Sequence, residues 1–205
     1  MTVRVHASTD GLWCILLAAG GSRRLGHPKQ LLRNPVRPLI LDAVDAAQTI
    51  TPGRVLVVLG AYALRLQALL ARNSDNLSIT KNTHWKLGIA GSLIVGLDAL
   101  PVDAKAAMIL LTDQPAVSPA SLRRLTDAWQ RQPKRAVASG YAGGFGVPAI
   151  LPRRLWPRLR QLDGDTGARA VLREAIAETL VVDIPEAEFD IDTEQDWQRL
   201  KRRIS

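Results

Sequence analysis

Leu12-Trp13-Cys14-Ile15-Leu16-Leu17-Ala18-Ala19-Gly20-Gly21-Ser22-Arg23-Arg24-Leu25-Gly26-His27-Pro28-Lys29-Gln30-Leu31-Leu32 is the stretch around which the chain is organised. The apolar run Leu12 to Ala19 reads as a fully buried strand, too short to span a membrane. It opens into a loop holding Gly20, Gly21 and Gly26, where backbone N–H groups can approach a ligand without Cβ interference. Such a loop makes a concavity of donors suited to phosphate. Ser22 adds a hydroxyl, and Arg24 and Lys29 add positive charge. The ligand implied is a polyphosphate.

Three known signatures fail on this loop. A Walker A loop needs Lys directly after the second glycine of G-x-x-x-x-G, and here His27 follows Gly26. The hydrolase elbow G-x-S-x-G fails because Arg24 stands where the second glycine belongs. A dinucleotide G-x-G-x-x-G is absent from it. Further on, Gly144-x-Gly146-x-x-Ala149 fits that pattern formally. Pro148 inside it and the strand-like Ala149-Ile150-Leu151 argue against the helix it requires. The segment 141–149 reads instead as a Gly-rich lip of a substrate pocket.

The chain has 205 residues, of which 47% are hydrophobic, as expected of one α/β domain over 1–205 behind a loose tail at 1–10. The apolar block is preceded by Asp10 and runs into the glycine loop, so it reads as a strand and not a secretory signal. The single cysteine, Cys14, cannot form an internal disulfide and reads as a small buried hydrophobe of a reducing compartment. The net charge of +8 is diffuse, with clusters at Arg153, Arg154, Arg158 and Arg160 and at the C-terminus. No basic strand interleaved with aromatics accompanies it, so no nucleic-acid partner is expected, nor a membrane. One cysteine and three scattered histidines exclude a zinc site.

Apolar runs at Val55–Leu59, Leu77–Thr80, Ala106–Leu111, Ala136–Ser139 and Leu180–Ile184 read as further strands. Helical periods fall at 39–50, 62–72, 91–100, 119–131, 152–161 and in a segment running to about 177, capped by Asp165 or Thr166. Thr193 would cap a last helix. Strands alternating with helices predict a three-layer α/β/α sandwich, Rossmann-like, with a mostly parallel sheet. The segment Asn82…Gly88…Ser92 at a helix start suggests a second site for a polar ligand group. His84 beside Trp85 reads as a surface histidine next to a packing tryptophan. Asp113, straight after a buried strand, stands where open α/β sheets bind ligands. Asp190 and Asp192 face the same way if their segment is extended.

The pattern L-A-A-G-x-S-x-R-x-G-x-x-K-x-L-L resembles the signature loop of nucleotidyltransferases. Asn82…Gly88…Ser92, Leu111-Thr112-Asp113-Gln114-Pro115, Gly146-x-Pro148, Gly164-Asp165-x-Gly167-Ala168-Arg169 and Asp190-Ile191-Asp192-Thr193 follow in order. Together they resemble the molybdenum cofactor cytidylyltransferase group of the MobA-like NTP transferases, over about residues 12–200. The resemblance implies a fold of the nucleotide-diphospho-sugar transferase type. It implies transfer of CMP from CTP to the terminal phosphate of molybdenum-loaded molybdopterin, with catalytic roles for Arg24, Lys29 and Asp113. The nucleotide would lie on Leu17, Ala18, Ala19, Gly20, Gly21, Ser22, Lys29, Asn82, Gly88, Ser92 and Asp113. The acceptor would lie on Gln114, Gly146, Pro148, Asp165 and Arg169. Mg²⁺ would be held by Asp113 and Asp192, with Asp190 the alternative. A small cytoplasmic monomer that delivers its product in a transient contact to a molybdenum hydroxylase completes what the resemblance implies. Glu194 stands where the group often has proline after D-I-D-T. Base specificity is not legible in the sequence. A sugar-phosphate acceptor with UTP or GTP, or a non-catalytic nucleotide sensor or cofactor chaperone, are the rival readings.

Overall fold

A computed structural model describes residues 9–33 and 36–204. Most of the expected tail, residues 1–8, lies outside the described residues. One seven-stranded sheet runs in the order β3-β2-β1-β4-β6-β5-β7. Its strands are β1 (Leu12–Ala18), β2 (Val55–Leu59), β3 (Leu77–Lys81), β4 (Ala106–Leu111), β5 (Ala136–Tyr141), β6 (Gly144–Pro152) and β7 (Thr179–Asp183). β1 pairs in parallel with β2 and β4, β2 with β3, and β5 with β7; β6 alone runs antiparallel to its neighbours β4 and β5.

The helices are α1 (Leu39–Ile50), α2 (Ala63–Asn73), α3 (Ile89–Asp98), α4 (Pro119–Arg131), α5 (Trp156–Leu159), α6 (Ala168–Glu174) and α7 (Glu194–Ile204). Helices cover both faces of the sheet, which is why β1, β2 and β4 are apolar at nearly every position. Leu12, Cys14, Leu16 and Ala18 of β1 join the layer of α1, α2 and α4. Ile15 and Leu17 join the layer of α3, α5 and α6. The edge strand β3 is only partly buried and carries Ser78, Thr80 and Lys81, which discourage pairing with another chain. Burial of Cys14 pushes its thiol pKa up and keeps it uncharged.

The chain moves outward through β1, β2 and β3, then α3 carries it back over the opposite face to β4, beside β1. The direction of winding therefore reverses between β1 and β4. In open α/β sheets this switch point leaves a crevice at the carboxyl ends of the strands.

Two details differ from the sequence reading. The Gly-rich segment 141–149 belongs to a hairpin: β5 ends at Tyr141, Ala142 and Gly143 turn with positive φ, and β6 starts at Gly144. Its register slips between Ala138 and Ser139, so Val147 and Pro148 bulge out of the ladder, where a residue without an N–H is tolerated. Helix α6 starts at Ala168 with Gly167 at its N-cap and no side-chain cap, and it ends at Glu174. Thr166 instead turns back, its N–H donating to the Asp163 carbonyl at 3.2 Å.

A satellite core outside the sheet ties together distant segments. Leu25 and Leu32 from the loop after β1, Leu39 at the start of α1, Ile191 and Leu200 pack on one another. Ile191 is fully buried although aspartates flank it on both sides. Its N–H donates to the Asp113 carbonyl at 2.9 Å. Thr193 then starts α7 with a reciprocal cap: its N–H and hydroxyl both donate to Asp196 Oδ2, and the Asp196 N–H donates back to Thr193 Oγ1. Ile191→Ala is therefore expected to lower stability by about 2–4 kcal/mol, and Ile191→Val by about 1 kcal/mol, in denaturant unfolding.

Candidate active site

The loop after β1 is held from three sides. Gln30, almost fully buried, donates from Nε2 to the Ala18 carbonyl at 3.1 Å and the Gly20 carbonyl at 2.9 Å. Tyr62 donates its hydroxyl to the Gly21 carbonyl at 3.1 Å. The Trp85 ring lies so close under Gly21 that an added Cβ would come within 2.7 Å of it. Ser22 Oγ accepts the Lys29 N–H at 3.0 Å and closes the loop on itself. The loop is thus rigid before any ligand arrives, which lowers the ordering cost of binding.

Lys29 is the centre of the charge arrangement. Its ammonium contacts Asp113 Oδ2, lies 3.3 Å from Asp192 Oδ1 and also donates to the Ile191 carbonyl. Burial works to lower its pKa, but Asp113 and then Asp192 outweigh that, and the group is held above its ordinary value. Arg24 reaches Asp192 Oδ2 at 2.7 Å from the solvent side. The second oxygen of Asp113, Oδ1, is buried with no hydrogen-bond partner. Two convergent carboxylates, one with a bare buried oxygen, suit a hard divalent cation that completes its shell with phosphate oxygens and water. Among the described residues no group of three or more His, Cys, Asp or Glu side chains forms a metal cage.

These groups open on a cleft of about 440 Å³ at the β1/β4 switch point. Of the residues assigned from the sequence, Leu17, Ala19, Gly20, Gly21, Ser22, Arg24, Lys29, Gly88, Ser92, Asp113, Asp165 and Asp192 line it. Ala18 lies behind the wall, its carbonyl spent on Gln30. Asn82 stands one layer back: it donates to Ser92 Oγ at 3.0 Å and accepts the His84 N–H at 2.9 Å. Gly88 has φ +111°, and a Cβ there would collide with the Gly164 carbonyl. Only glycine lets α3 start against the 163–166 turn, whose Gly164 carbonyl takes the Ala90 N–H at 3.1 Å and sets Asp165 at the cleft.

Gly146 and Arg169 line a smaller side cavity. Gln114 and Pro148 lie on neither. Gln114 is buried, and its amide donates to the Val147 and Ala187 carbonyls, fastening β6 to the 185–188 turn. Pro148 is buried in the bulge, its carbonyl taking the Ser139 hydroxyl at 2.7 Å. The Gln114 amide nitrogen and the Pro148 carbonyl are thus engaged within the fold, while Gln114 Oε1 is buried with no hydrogen-bond partner. His84 is exposed and Trp85 packs, as read from the sequence. The roles of Gln30, Tyr62 and Ile191 had no local signal. Gln30 stands inside the loop motif, but its duty is set by two carbonyls ten and twelve residues away.

The chain belongs to the MobA-like NTP transferase family, whose model matches residues 14–179. This makes it a nucleotidyltransferase by family. It is 32% identical over 198 residues to nicotine blue oxidoreductase of Paenarthrobacter nicotinovorans, covering 91% of this chain and 94% of that protein. It is similar to Rv0371c of Mycobacterium tuberculosis, with 27% identity and a TM-score of 0.77 over 93% of this chain and 97% of that one. A structure of Rv0371c in complex with manganese matches at 26% identity and a TM-score of 0.74, covering 92% and 96%. A nucleotidyl transferase of Methanothermobacter thermautotrophicus shares the fold, with 21% identity and a TM-score of 0.76 over 94% of this chain and 97% of that chain. No helix among the described residues is long and apolar enough to cross a membrane.

Asp190 lies at the rim of this site, and partial loss of water around its carboxyl pushes the pKa up to about 7. Loss of water comes first, then repulsion from Asp113 and Asp192, against the opposing pull of Gln114 and Lys29. A carboxyl whose pKa is raised by folding costs stability when ionised and ceases to cost it as pH falls through the raised value. In metal-free protein, Asp190→Asn should therefore unfold at higher denaturant than the parent at pH 8. The gap should close by pH 5, as paired unfolding curves at the two pH values would register.

Proposed function

We propose that the protein transfers CMP from CTP to the terminal phosphate of molybdenum-loaded molybdopterin, releasing pyrophosphate. One observation supports this most directly. Asp165, from the Gly164-Asp165-x-Gly167-Ala168-Arg169 segment, and Asp192, from D-I-D-T, line the same cleft as the phosphate loop. The two segments that resemble the cytidylyltransferase group thus meet the loop that resembles the wider family.

In this reading the Gly20–Gly21 turn presents backbone N–H groups to the triphosphate. An oxygen of the acceptor phosphate forms a new P–O bond to the α-phosphorus, and the bond from the α-phosphorus to the bridging oxygen of the β-phosphate breaks. Charge grows on that bridging oxygen and on the α-phosphoryl oxygens. Lys29, an ammonium at neutral pH whose pKa the neighbouring carboxylates raise further, neutralises it from inside the cleft, and Arg24 does so from the rim. Asp113 and Asp192 would hold Mg²⁺, which supplies Lewis-acid stabilisation of the phosphates when bound. No step requires the chain to take a proton from the acceptor, because a phosphate oxygen is already ionised at neutral pH.

A second reading follows from the 32% identity to an enzyme named as a nicotine blue oxidoreductase, and it predicts redox turnover of nicotine blue. Pyrophosphate release should be measured with Mg²⁺ and CTP, GTP, UTP or ATP, with and without molybdenum-loaded molybdopterin. Release only with CTP and the pterin is expected. Release with a different base or acceptor overturns that part of the assignment. Reduction of nicotine blue with no pyrophosphate release under any condition overturns the whole. Asp113→Ala should abolish turnover, and Lys29→Ala should lower kcat by about 10²–10³-fold, the cost of removing one preorganised charge stabiliser.

A further inference from the structure

Three oxygens converge on the Lys29 ammonium: Asp113 Oδ2, Asp192 Oδ1 at 3.3 Å and the Ile191 carbonyl at 3.4 Å. Arg24 takes Asp192 Oδ2 at 2.7 Å. Of the oxygens that the two carboxylates offer, only Asp113 Oδ1 has no hydrogen-bond partner among the described residues. Lys29 and Arg24 thus hold the face that a divalent cation would use. A hard cation such as Mg²⁺ bonds oxygen at about 2.0–2.1 Å. Drawing on Asp113 Oδ2 and Asp192 Oδ1 together, it would press against the ammonium that sits between them. Two positive charges cannot share those oxygens.

The two cations are not held alike. The Lys29 side chain is 16% exposed and the Arg24 side chain 71%, so water screens Arg24 and leaves Lys29 the stronger competitor. The main chain of Lys29 is tied down, its N–H donating to Ser22 Oγ at 3.0 Å. Its four-carbon stem is flexible, and the ammonium lines the same cleft as Gly20 and Gly21. The charge can therefore turn from the carboxylates to an anion on the loop while the backbone stays in place.

We propose that Lys29, helped by Arg24, gates the cation site: it holds Asp113 and Asp192 against a divalent cation until a triphosphate draws the ammonium away. The release half rests on the nucleotidyl-transfer reading above, because it needs a triphosphate in this cleft. Before release, Asp113 Oδ1 gives the cation one foothold. After it, both carboxylates face the cation, and phosphate oxygens complete its shell. Metal and nucleotide then bind together and each weakly alone, and by linkage each tightens the other by the same factor.

The test measures binding, not turnover. Mn²⁺ serves as a spectroscopic stand-in, titrated into chelator-treated protein and followed by electron paramagnetic resonance. Calorimetry measures a non-hydrolysable CTP analogue with and without Mn²⁺. In the parent, Mn²⁺ should tighten the analogue by at least about tenfold, inside the range of roughly 5–150-fold usual for coupled sites. Lys29→Met should bind Mn²⁺ alone about tenfold more tightly than the parent, on the same scale. Lys29→Arg, which keeps the charge, should stay as weak as the parent. Arg24→Ala should tighten Mn²⁺ by a smaller factor, and its exposed position keeps the test open if Lys29→Met does not fold. A lysine that served the phosphates alone would leave Mn²⁺ affinity unmoved in Lys29→Met. That result, weaker Mn²⁺ binding there, or equal tightening in Lys29→Met and Lys29→Arg overturns the gate. If Lys29→Met does not fold, unchanged Mn²⁺ binding in Arg24→Ala overturns it. Tighter Mn²⁺ in Lys29→Met with no coupling in the parent overturns the release half. Failure of every nucleotide analogue to bind, with Mn²⁺ still tightened by Lys29→Met, would refute the functional reading and leave Lys29's hold on the cation site assigned.

Discussion

Two carboxylates from far apart in the chain point at one ammonium, and the site depends on that arrangement. Asp113 ends a central strand and Asp192 precedes the last helix, so no local rule brings them together. Side by side in a partly buried cleft they repel, at a cost that rises as water is excluded. Lys29 offsets this at both carboxylates, and its own raised pKa records the same attraction from the other partner. The sign of the linkage is clear. A base held above its unfolded pKa stabilises the fold below that value and loses its contribution only as pH rises through the folded one. The interaction is therefore intact at neutral pH. A second cation in the cleft would be attracted by the same carboxylates, and the bare Oδ1 of Asp113 is the oxygen that has no other use.

What delivers Asp192 to this place is apolar. Ile191 is buried between two charged neighbours and packs with Leu25 and Leu32 of the loop segment and with Leu39 of α1. Its N–H bonds to the Asp113 backbone, so the two carboxylates are joined by a main-chain bond as well as by Lys29. The satellite core thus locks the phosphate loop, the start of α1 and the start of α7 to one another. Positioning by packed side chains leaves the polar groups free for a ligand, which is the condition for a preorganised site.

The sheet was legible in the sequence wherever strands are buried on both faces. Val55–Leu59 and Ala106–Leu111 are uninterrupted apolar runs bounded by glycine or polar residues, and both match the observed strands. The hairpin was not legible, because its glycines make room for Tyr141 and Arg169, and Arg169 is more than twenty residues downstream. The same holds for the site. The loop from Leu16 to Leu32 carries its own spacing and reads directly. Asn82, Gln114 and Pro148 are unusual residues whose partners lie elsewhere: their polar atoms go to Ser92, to the carbonyls of Val147 and Ala187, and to the Ser139 hydroxyl. The sequence marked them as special, but these long-range partners were not legible in it. Asp190 and Asp192 show the limit most plainly. Alternation alone places both on one side, whereas only the long-range contacts of Lys29 and Arg24 single out Asp192.

The switch point divides the labour of the two halves. The β1–β4 edge and the start of α3 build the cleft that suits a triphosphate, from backbone N–H groups, Lys29 and carboxylates fixed by the core. The β5–β6 hairpin and α6 build the smaller side cavity, an adjoining slot, from exchangeable side chains and two glycines. A substitution in the hairpin alters the slot without disturbing Lys29, Asp113 or Asp192, since among the described residues no hydrogen bond or ion pair of those three reaches β5, β6 or α6. The cleft and the slot are thus held by separate elements, the cleft by two carboxylates sharing one ammonium and the slot by the hairpin and α6.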